Sequence, residues 1–238
     1  MRSWGCDRAE QVRVLVVDDE EPLARLVSDY FERDGFEVSI VGDGPSAIAR
    51  AREWEPGVIV LDLGLPGVDG IEVCRSVRTF SDCYIVVLTA RVEEVDKLVS
   101  LSIGADDYVT KPFSPRELLA RVRAMLRRPR SGQEGAPETA TFGPLSLDVA
   151  GREVHLDGVL VELTRTEFDV LAALASRPKS VFSRRQLIEE VWGGGWVGDE
   201  HLVDVHIGHL RRKLGDEPAD PVFLRTVRGV GYRMGPGA

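Results

Sequence analysis

The feature that most constrains the fold is a fivefold alternation of short apolar runs with helical patterns in the first half of the chain. The runs are rich in β-branched residues and apolar on both faces, which is typical of strands buried in a parallel sheet. This alternation predicts a doubly wound α/β fold, with a five-stranded parallel sheet of order 2-1-3-4-5 covered by helices on both faces. The predicted strands span residues 12–17, 36–40, 58–62, 84–88 and 107–110.

The ends of four predicted strands carry polar side chains. Asp18 and Asp19 follow the first strand, and Asp62 ends the third. Thr89 follows the fourth strand, and Lys111 follows the fifth. The carboxyl ends of parallel strands meet at one edge of the sheet, where ligands bind, so this strand order brings the five residues together.

Three carboxylates beside a hydroxyl and an ammonium group indicate phosphoryl chemistry. Crowded carboxylates repel when ionised, and a divalent cation such as Mg²⁺, which prefers carboxylate oxygens and tolerates phosphate, relieves that repulsion. A carboxylate in such a site can attack a phosphoryl donor, and Thr89 and Lys111 can hold the added oxygens. Two simpler interpretations stay open from the residues alone. Asp62 could cap a turn before Gly64, or the acidic edge and its lysine could be purely structural.

Composition excludes several classes of protein. The chain has 238 residues, 43% hydrophobic and 29% charged, which suits one large or two ordinary globular domains. It has no apolar run of membrane-spanning length and no secretory apolar region near its start, so we expect a cytoplasmic protein without a membrane partner. The three cysteines lack metal-site spacing. A net charge of −9 gives no sign of nucleic-acid binding, so any DNA contact must come from local basic clusters.

The second half predicts an α+β winged helix-turn-helix domain. Short alternating runs between residues 145 and 163 indicate small antiparallel strands, and Thr164 begins a helix. Ser183 caps a second helix, and a third runs from about residue 200 to residue 214. These last two helices form the helix-turn-helix, and a hairpin over residues 223–234 would be the wing. The loop between the two helices is predicted to be mobile, with exposed tryptophan rings.

The chain therefore divides into four segments. Residues 1–11 form an N-terminal leader, and residues 12–128 form the α/β domain. Residues 129–140, rich in Pro, Gly and charge, are predicted to be a flexible linker. The winged-helix domain spans residues 141–235.

Residues 12–128 resemble the receiver domain of two-component response regulators, which has a CheY-like fold. Four motifs carry the resemblance and together are highly specific. They are Val16-Val17-Asp18-Asp19-Glu20, Leu61-Asp62-Leu63-Gly64-Leu65-Pro66-Gly67-Val68-Asp69-Gly70, Leu88-Thr89-Ala90, and Gly104-Ala105-Asp106-Asp107-Tyr108-Val109-Thr110-Lys111-Pro112-Phe113.

The resemblance implies that Asp62 is the phosphoacceptor and that a sensor histidine kinase is the donor. It implies that Mg²⁺ is the cofactor. Asp19, Asp62 and the backbone carbonyl of Gly64 would ligate it directly, and Asp18 would act through a bound water.

The same resemblance assigns the switch residues. Thr89 and Lys111 would bind the phosphoryl oxygens, and Tyr108 would turn inward when Thr89 shifts. The Lys111–Pro112 peptide bond would be cis, as proline permits.

In the OmpR/PhoB subfamily a surface built around the fifth strand forms a symmetric homodimer on phosphorylation. The positions that match its cross-subunit ion pairs are Lys97 with Glu117, and Asp107 with Arg121. Exposed ion pairs contribute only about 0–1 kcal/mol each, so they would determine how the two subunits align rather than how tightly they bind. The alternative is a solvated, charged helix face.

Residues 141–235 resemble the winged-helix effector domain of the same subfamily. The motifs are Leu163-Thr164-Arg165-Thr166-Glu167-Phe168, Val203-Asp204-Val205-His206-Ile207, Leu210-Arg211-Arg212-Lys213-Leu214 and Thr226-Val227-Arg228-Gly229-Val230-Gly231-Tyr232-Arg233.

This second resemblance implies a DNA-binding surface on the third helix and the wing. The candidate DNA-binding residues are His206, His209, Arg211, Arg212, Lys213 and Arg228. The loop over residues 192–199 would contact RNA polymerase. Two alternatives stay open: His206 could be a buried core histidine, and the basic run at Arg211 could be only a helix end favoured by the helix dipole.

The sequence thus predicts a transcriptional regulator whose binding to promoter DNA is promoted by phosphorylation of Asp62. We expect it to catalyse only its own phosphoryl transfer and dephosphorylation. The alternatives are a Mg²⁺-dependent phosphatase on the same acidic edge, and a DNA-binding regulator that is independent of phosphorylation and has a structural receiver domain.

Overall fold

The structure, a computed structural model, describes residues 11–90, 104–126, 139–194, 196 and 198–237. The predicted fourth helix, most of the leader and most of the linker lie outside these residues. Strands and helices are numbered in chain order within the described part of the chain.

The first domain has the predicted parallel sheet. Its strands are β1 (Arg13–Val17), β2 (Glu37–Val41), β3 (Val58–Asp62), β4 (Tyr84–Thr89) and β5 (Asp107–Thr110). Its described helices are α1 (Glu21–Arg33), α2 (Gly44–Trp54), α3 (Gly70–Arg78) and α4 (Pro115–Leu126). The strand order is β2-β1-β3-β4-β5, and every pairing is parallel, which confirms the fold prediction.

Alternation along each central strand divides the apolar residues between the two faces of the sheet. In β1, Val14 and Val16 lie in the apolar cluster that contains residues of α1 and α4. Leu15 and Val17 lie in the cluster with residues of α2 and α3. Strand β3 is buried along its whole length, so Asp62 emerges from a rigid element at the edge of the sheet.

The second domain begins with a four-stranded antiparallel sheet of β6 (Thr139–Phe142), β7 (Leu145–Asp148), β8 (Glu153–Leu156) and β9 (Val159–Leu160). The helices α5 (Arg165–Ser176), α6 (Arg184–Val191) and α7 (His201–Leu214) follow. Strands β10 (Phe182–Ser183), β11 (Leu224–Val227) and β12 (Gly231–Met234) form a second sheet of order β10-β12-β11. The hairpin of β11 and β12 is the predicted wing, and α6 with α7 is the predicted helix-turn-helix.

Two helix starts follow directly from the sequence. Thr164 and Glu167 form a capping box at α5, and Ser183 and Gln186 form another at α6, so each side chain satisfies a backbone N–H that has no partner within its helix.

The predicted linker extends two residues too far. Thr139 and Ala140 belong to β6, where they pair with Asp148 and Leu147 of β7. Strand β6 was not predicted because Thr-Ala-Thr-Phe is short and contains only one large apolar residue, and its pairing with β7 determines its structure.

Among the described residues, no helix is both long enough and apolar enough to cross a membrane.

Candidate functional site

Three carboxylates meet at the carboxyl edge of the parallel sheet. Ligand oxygens of Asp18, Asp19 and Asp62 all lie within 4.8 Å of one another. Asp18 and Asp62 are buried, and Asp19 is exposed. The structure therefore places these three acidic side chains together, as the order of the strands predicts.

Lys111 bridges two of these carboxylates. Its Nζ atom lies 3.1 Å from Asp18 Oδ2 and 3.1 Å from Asp62 Oδ2, and it approaches the exposed Glu20 at 3.6 Å. Burial alone would lower the pKa of Lys111, but its bonds to Asp62 and Asp18 outweigh burial and raise it. The lysine is therefore a fixed cation between two acids that come from different strands.

The environment of Asp62 disfavours the ionised form of its carboxyl group. Burial raises the pKa of Asp62, with a further contribution from Asp18, while Lys111 and the backbone N–H of Gly64 oppose that rise. Gly70 is packed against the same residue. A Cβ atom at Gly70 would lie 2.5 Å from the backbone oxygen of Asp62, so the start of α3 can approach β3 only with glycine there.

The residues present fit a divalent cation. Three carboxylates supply hard oxygen donors, which Mg²⁺ prefers, and Asp19 is open to solvent for a hydrated ion. Gly64 lies beside the cluster, since a Cβ atom there would be 3.3 Å from Asp62 Oδ2. The predicted metal-ligand set is thus gathered at one place.

The predicted switch residues line the same sheet. Thr89 is buried at the end of β4 and pairs with Thr110 of β5. Tyr108 is half-buried, and burial together with nearby acids such as Asp199 raises the pKa of its hydroxyl. The Lys111–Pro112 bond is cis, as the resemblance implies.

Three of the predicted dimer residues are paired within this chain. Arg121 Nη1 lies 3.1 Å from Asp107 Oδ1, and Arg121 Nη2 lies 2.9 Å from Glu117 Oε1. Asp107 and Arg121 are buried, so the alternative of a solvated charged helix face does not hold for these two residues in this conformation, and their role in a dimer stays a prediction. Lys97 lies outside the described residues.

The predicted DNA contacts of His206 and His209 are not available in this structure. Both histidines are buried, and His206 Nε2 lies 3.1 Å from the backbone oxygen of Asp106 in the first domain. Burial and the nearby His209 lower the pKa of His206 to about 4, which keeps the ring neutral. His209 Nδ1 lies 3.5 Å from Glu167 Oε1 of α5.

The remaining basic candidates divide into structural and exposed residues. Arg211 donates to the backbone oxygen of Leu224 and to Thr226, so it fixes the wing to α7. Lys213 pairs with Glu167 at 2.6 Å, whereas Arg212 and Arg228 are exposed. Arg212 and Arg228 are thus the more exposed basic candidates, whereas Arg211 and Lys213 are half-buried and hold together parts of the second domain.

Sequence reasoning missed the residues that join the domains. Asp106 accepts a hydrogen bond from Thr166 Oγ1 at 2.5 Å, and Trp196 Nε1 donates to Asp107 Oδ2 at 3.3 Å. Trp196 is half-buried and Trp192 is buried, so the expectation of exposed aromatic rings in this loop is wrong. The only signal in the sequence was a pair of tryptophans in a glycine-rich loop.

Two family models match the chain, one for each domain. Residues 14–123 match the response regulator receiver domain. Residues 158–234 match the C-terminal domain of transcriptional regulatory proteins. The matches therefore fall on the parallel-sheet domain and on the winged-helix domain.

Curated relatives are similar along almost the whole chain. The DNA-binding response regulator MtrA of Mycolicibacterium smegmatis is 45% identical over 224 residues, which cover 94% of this chain and 97% of the relative. The sensory transduction protein RegX3 of the same species is 44% identical over 223 residues, covering 93% and 98% of the two chains.

Solved structures agree with this domain arrangement. A mutant of RitR has a TM-score of 0.76 at 29% identity and covers 95% of this chain and 100% of its own. The response regulator DrrB of Thermotoga maritima, described as an OmpR/PhoB homologue, has a TM-score of 0.50 at 32% identity and covers 94% and 99%. The chain belongs to the OmpR/PhoB-type family of two-component response regulators, with a receiver domain followed by a winged-helix DNA-binding domain.

Proposed function

We propose that this regulator is switched by Mg²⁺-dependent phosphorylation of Asp62 by a sensor histidine kinase. The supporting observation is the position of Lys111, at equal distances from Asp18 and Asp62 in a cluster of three carboxylates. In the proposed reaction a carboxylate oxygen of Asp62 forms the new bond to phosphorus as the donor's bond to phosphorus breaks. The reaction alters the chain itself and needs no pocket for an external substrate.

Each residue of the cluster has a role in this proposal. Asp19, Asp62 and the carbonyl of Gly64 would hold Mg²⁺ directly, with Asp18 acting through water. When bound, the ion would neutralise charge on the incoming phosphoryl group. On phosphorylation, Lys111 exchanges its ion pair with one of the two carboxylates for a contact with a phosphoryl oxygen.

In this proposal, Thr89 and Tyr108 transmit the conformational change from Asp62 to the fifth strand. Thr89 lies in register with β5, so its movement toward a phosphoryl oxygen alters the packing around Tyr108. The phosphorylated state is favoured by contacts that exist only with the added oxygens, which is the condition for a shift in population.

The proposed output is a homodimer of receivers that binds promoter DNA and recruits RNA polymerase. Two linked winged-helix domains would bind paired half-sites, so modest single-site affinities combine. The exposed residues Arg212 and Arg228 are candidates for DNA contacts, and phosphate contacts would make the affinity fall as salt rises. His206 would join them only after the receiver has moved away from α7, whereas His209 is held by Glu167 of its own domain.

The experiment compares the protein with and without beryllofluoride and Mg²⁺, where beryllofluoride takes the place of a phosphoryl group on a carboxylate. Light scattering gives the mass, and enrichment from a random-sequence DNA pool gives the binding. We expect beryllofluoride to produce dimers and tighter DNA binding in the native chain. Asp62→Ala should abolish both responses, while Asp29→Asn, at an exposed position on α1, should retain them.

Two outcomes would contradict the proposal. If the native chain and Asp62→Ala bind DNA equally and neither responds, the regulator is independent of phosphorylation. If the protein turns over external phosphoesters in an Asp62-dependent reaction, the acidic edge is a phosphatase site instead.

A further inference from the structure

A large cleft lies between the two domains, away from the acidic edge of the sheet. Its volume is about 1320 Å³, more than the roughly 300–1,000 Å³ of most small-molecule sites. On the receiver side it is lined by residues that precede strands, among them Gly57 before β3, Asp82 before β4 and Gly104 before β5. These residues lie at the amino edge of the parallel sheet, whereas Asp62 and Lys111 lie at its carboxyl edge. The cleft is therefore separate from the proposed phosphorylation site.

The lining of the cleft is locally basic, although the net charge of the chain is −9. Among the described residues that line it, six are cationic and four are acidic. The cationic residues, three from each domain, are Arg52, Arg75, Arg78, Arg152, Arg165 and Lys213. A small anion that enters the cleft therefore meets a favourable local charge.

Two arginines of the receiver wall present their guanidinium groups to the cleft. Arg52 is exposed and lies over the Phe80 ring, 4.4 Å from the ring centre. Arg75 is also exposed, and its ion pair within α3 is long, at 3.8 Å. By contrast, Arg78 is engaged with the buried Asp106 at 2.6 Å. Arg52 and Arg75 can thus bind an added anion without giving up a short ion pair.

The facing wall, on the hairpin of β8 and β9, is apolar. Val159 and Leu160 are 68% and 54% exposed, the highest values for large hydrophobic residues in the described part of the chain. Leu160 and Val161 line the cleft, and a hollow of about 480 Å³ continues from them past Leu156 and Val159. An apolar group placed there would cover these side chains from water, which favours binding.

One ion pair connects the two walls. Arg165, at the start of α5, donates from Nε and from Nη2 to the two carboxylate oxygens of Asp82, each at 2.9 Å. Both residues line the cleft, so the pair holds the basic wall and the apolar wall at a defined separation. The cleft therefore offers charge on one side and apolar surface on the other.

We propose that this cleft binds a small amphipathic organic anion, whose charged group pairs with Arg52 and Arg75 and whose apolar body covers Val159 and Leu160. A nucleotide and a fatty acid share this chemistry. The inference goes beyond the proposed function and does not depend on it, because none of the described lining residues belongs to the acidic edge. Such a ligand would contact both domains and would give the regulator a chemical input besides Asp62.

The test titrates anilinonaphthalene sulfonate, an aromatic anion that fluoresces more strongly out of water, into the full-length protein without beryllofluoride. Arg52→Gln removes a charge from the basic wall, and Leu160→Gln removes apolar surface from the facing wall. Arg33→Gln and Leu26→Gln, at exposed positions on α1, are the matched controls. Urea unfolding checks that all four variants are folded.

We expect saturable binding of the probe to the native chain. Its affinity should fall about ten-fold in Arg52→Gln, because a hydrogen bond to a charged group is lost, and about five-fold in Leu160→Gln, because less apolar area is covered. The two controls should match the native protein. The proposal is overturned if the native chain shows no saturable binding, or if either cleft variant binds the probe as the native chain does.

Competition then identifies the kind of ligand. Adenosine monophosphate and decanoate are each titrated against the bound probe, with inorganic phosphate as the comparison. Displacement by adenosine monophosphate supports a nucleotide, and displacement by decanoate supports a fatty acid. If inorganic phosphate displaces the probe equally well, or if neither organic anion displaces it, the proposed class of ligand is wrong.

Discussion

Lys213, in the last turn of α7, lies 2.6 Å from Glu167 Oε2, in the first turn of α5. Glu167 is almost wholly buried and also closes the capping box with Thr164. One carboxylate therefore begins α5 and binds it to the helix predicted to contact DNA.

Acid should weaken the second domain through Glu167. Burial favours the neutral form of Glu167, but His209 and Lys213 outweigh it and lower its pKa to about 2 from 4.5. The folded state binds this proton less readily than the unfolded state. The charged pair therefore stabilises the fold fully above pH 4.5, and this stability is lost as the pH falls toward 2. The contribution is on the order of 3 kcal/mol.

Glu167→Gln should remove that pH dependence, because glutamine keeps the capping box but carries no charge. Urea unfolding followed between pH 6 and pH 2 measures the effect. The exposed Glu162→Gln is the matched control and should retain the native slope. An unchanged slope in Glu167→Gln would show that the pair with Lys213 does not stabilise the charged form.

Mild acid should also favour domain opening. Burial and His209 lower the pKa of His206 to about 4, whereas an exposed histidine has a pKa near 6.5. The buried ring also faces Glu167 on α5 and Asp106 of the receiver, and both favour its charged form. The open state therefore binds a proton more readily, so the closed state loses stability as the pH falls from 6.5 toward 4.

We expect the radius of gyration of the unphosphorylated protein to grow between pH 6.5 and pH 5, above the range in which Glu167 titrates. His206→Gln keeps a polar side chain without a titration and should show no such growth. Equal growth in the native protein and in the variant would assign the effect to another group.

Removing the cation at the acidic edge should destabilise the receiver and abolish its response. Lys111→Met leaves Asp18 and Asp62 without the ammonium group that lies 3.1 Å from each. Because Lys111 is partly exposed, we expect a loss of about 1–3 kcal/mol in urea unfolding at neutral pH, less than for a fully buried pair. Beryllofluoride should no longer produce dimers. Lys179→Met, at an exposed position, should leave both measurements unchanged.

Gly70→Ala should distort β3, the strand that carries the proposed phosphoacceptor Asp62, without altering a charged group. Its Cβ atom would lie 2.5 Å from the backbone oxygen of Asp62 and 2.8 Å from Leu63 Cα, so the backbone must shift. Such overpacking costs about 1–3 kcal/mol, and the beryllofluoride response should weaken with it. The control is Gly42→Ala, where the nearest atom, the Asp18 oxygen, would be 3.9 Å away. A normal response from Gly70→Ala would mean that Asp62 tolerates displacement of its strand.

The acidic edge could be predicted from sequence because two local signals coincide. Each buried strand is recognisable by its β-branched residues, and each ends in a polar side chain. Parallel order then places Asp18, Asp62 and Lys111 together without any knowledge of loops. The predicted helix starts at Thr164 and Ser183 rest on equally local signals and are confirmed, and the structure shows a capping box at each.

The domain interface could not be predicted in the same way. The sequence predicts only that Thr166 lies in the first turn of a helix and that His206 belongs to a polar helix face. Their burial depends on a partner surface at Asp106, which lies 60 positions before Thr166 and 100 positions before His206 in the chain. Lys213 illustrates the same point. From the sequence, a basic residue at a helix end is expected to face solvent or DNA, and only the fold brings the buried carboxylate of Glu167 beside it.

The bond between Lys111 and Asp18 joins residues that lie 93 positions apart, and β3 and β4 must both be in place between β1 and β5. No short fragment of this chain can assemble the acidic edge by itself. During synthesis, the proposed phosphorylation site can form only after the fifth strand has been made and added to the sheet. If the proposed function holds, a truncated or partly folded receiver would therefore not take phosphoryl groups away from the finished protein.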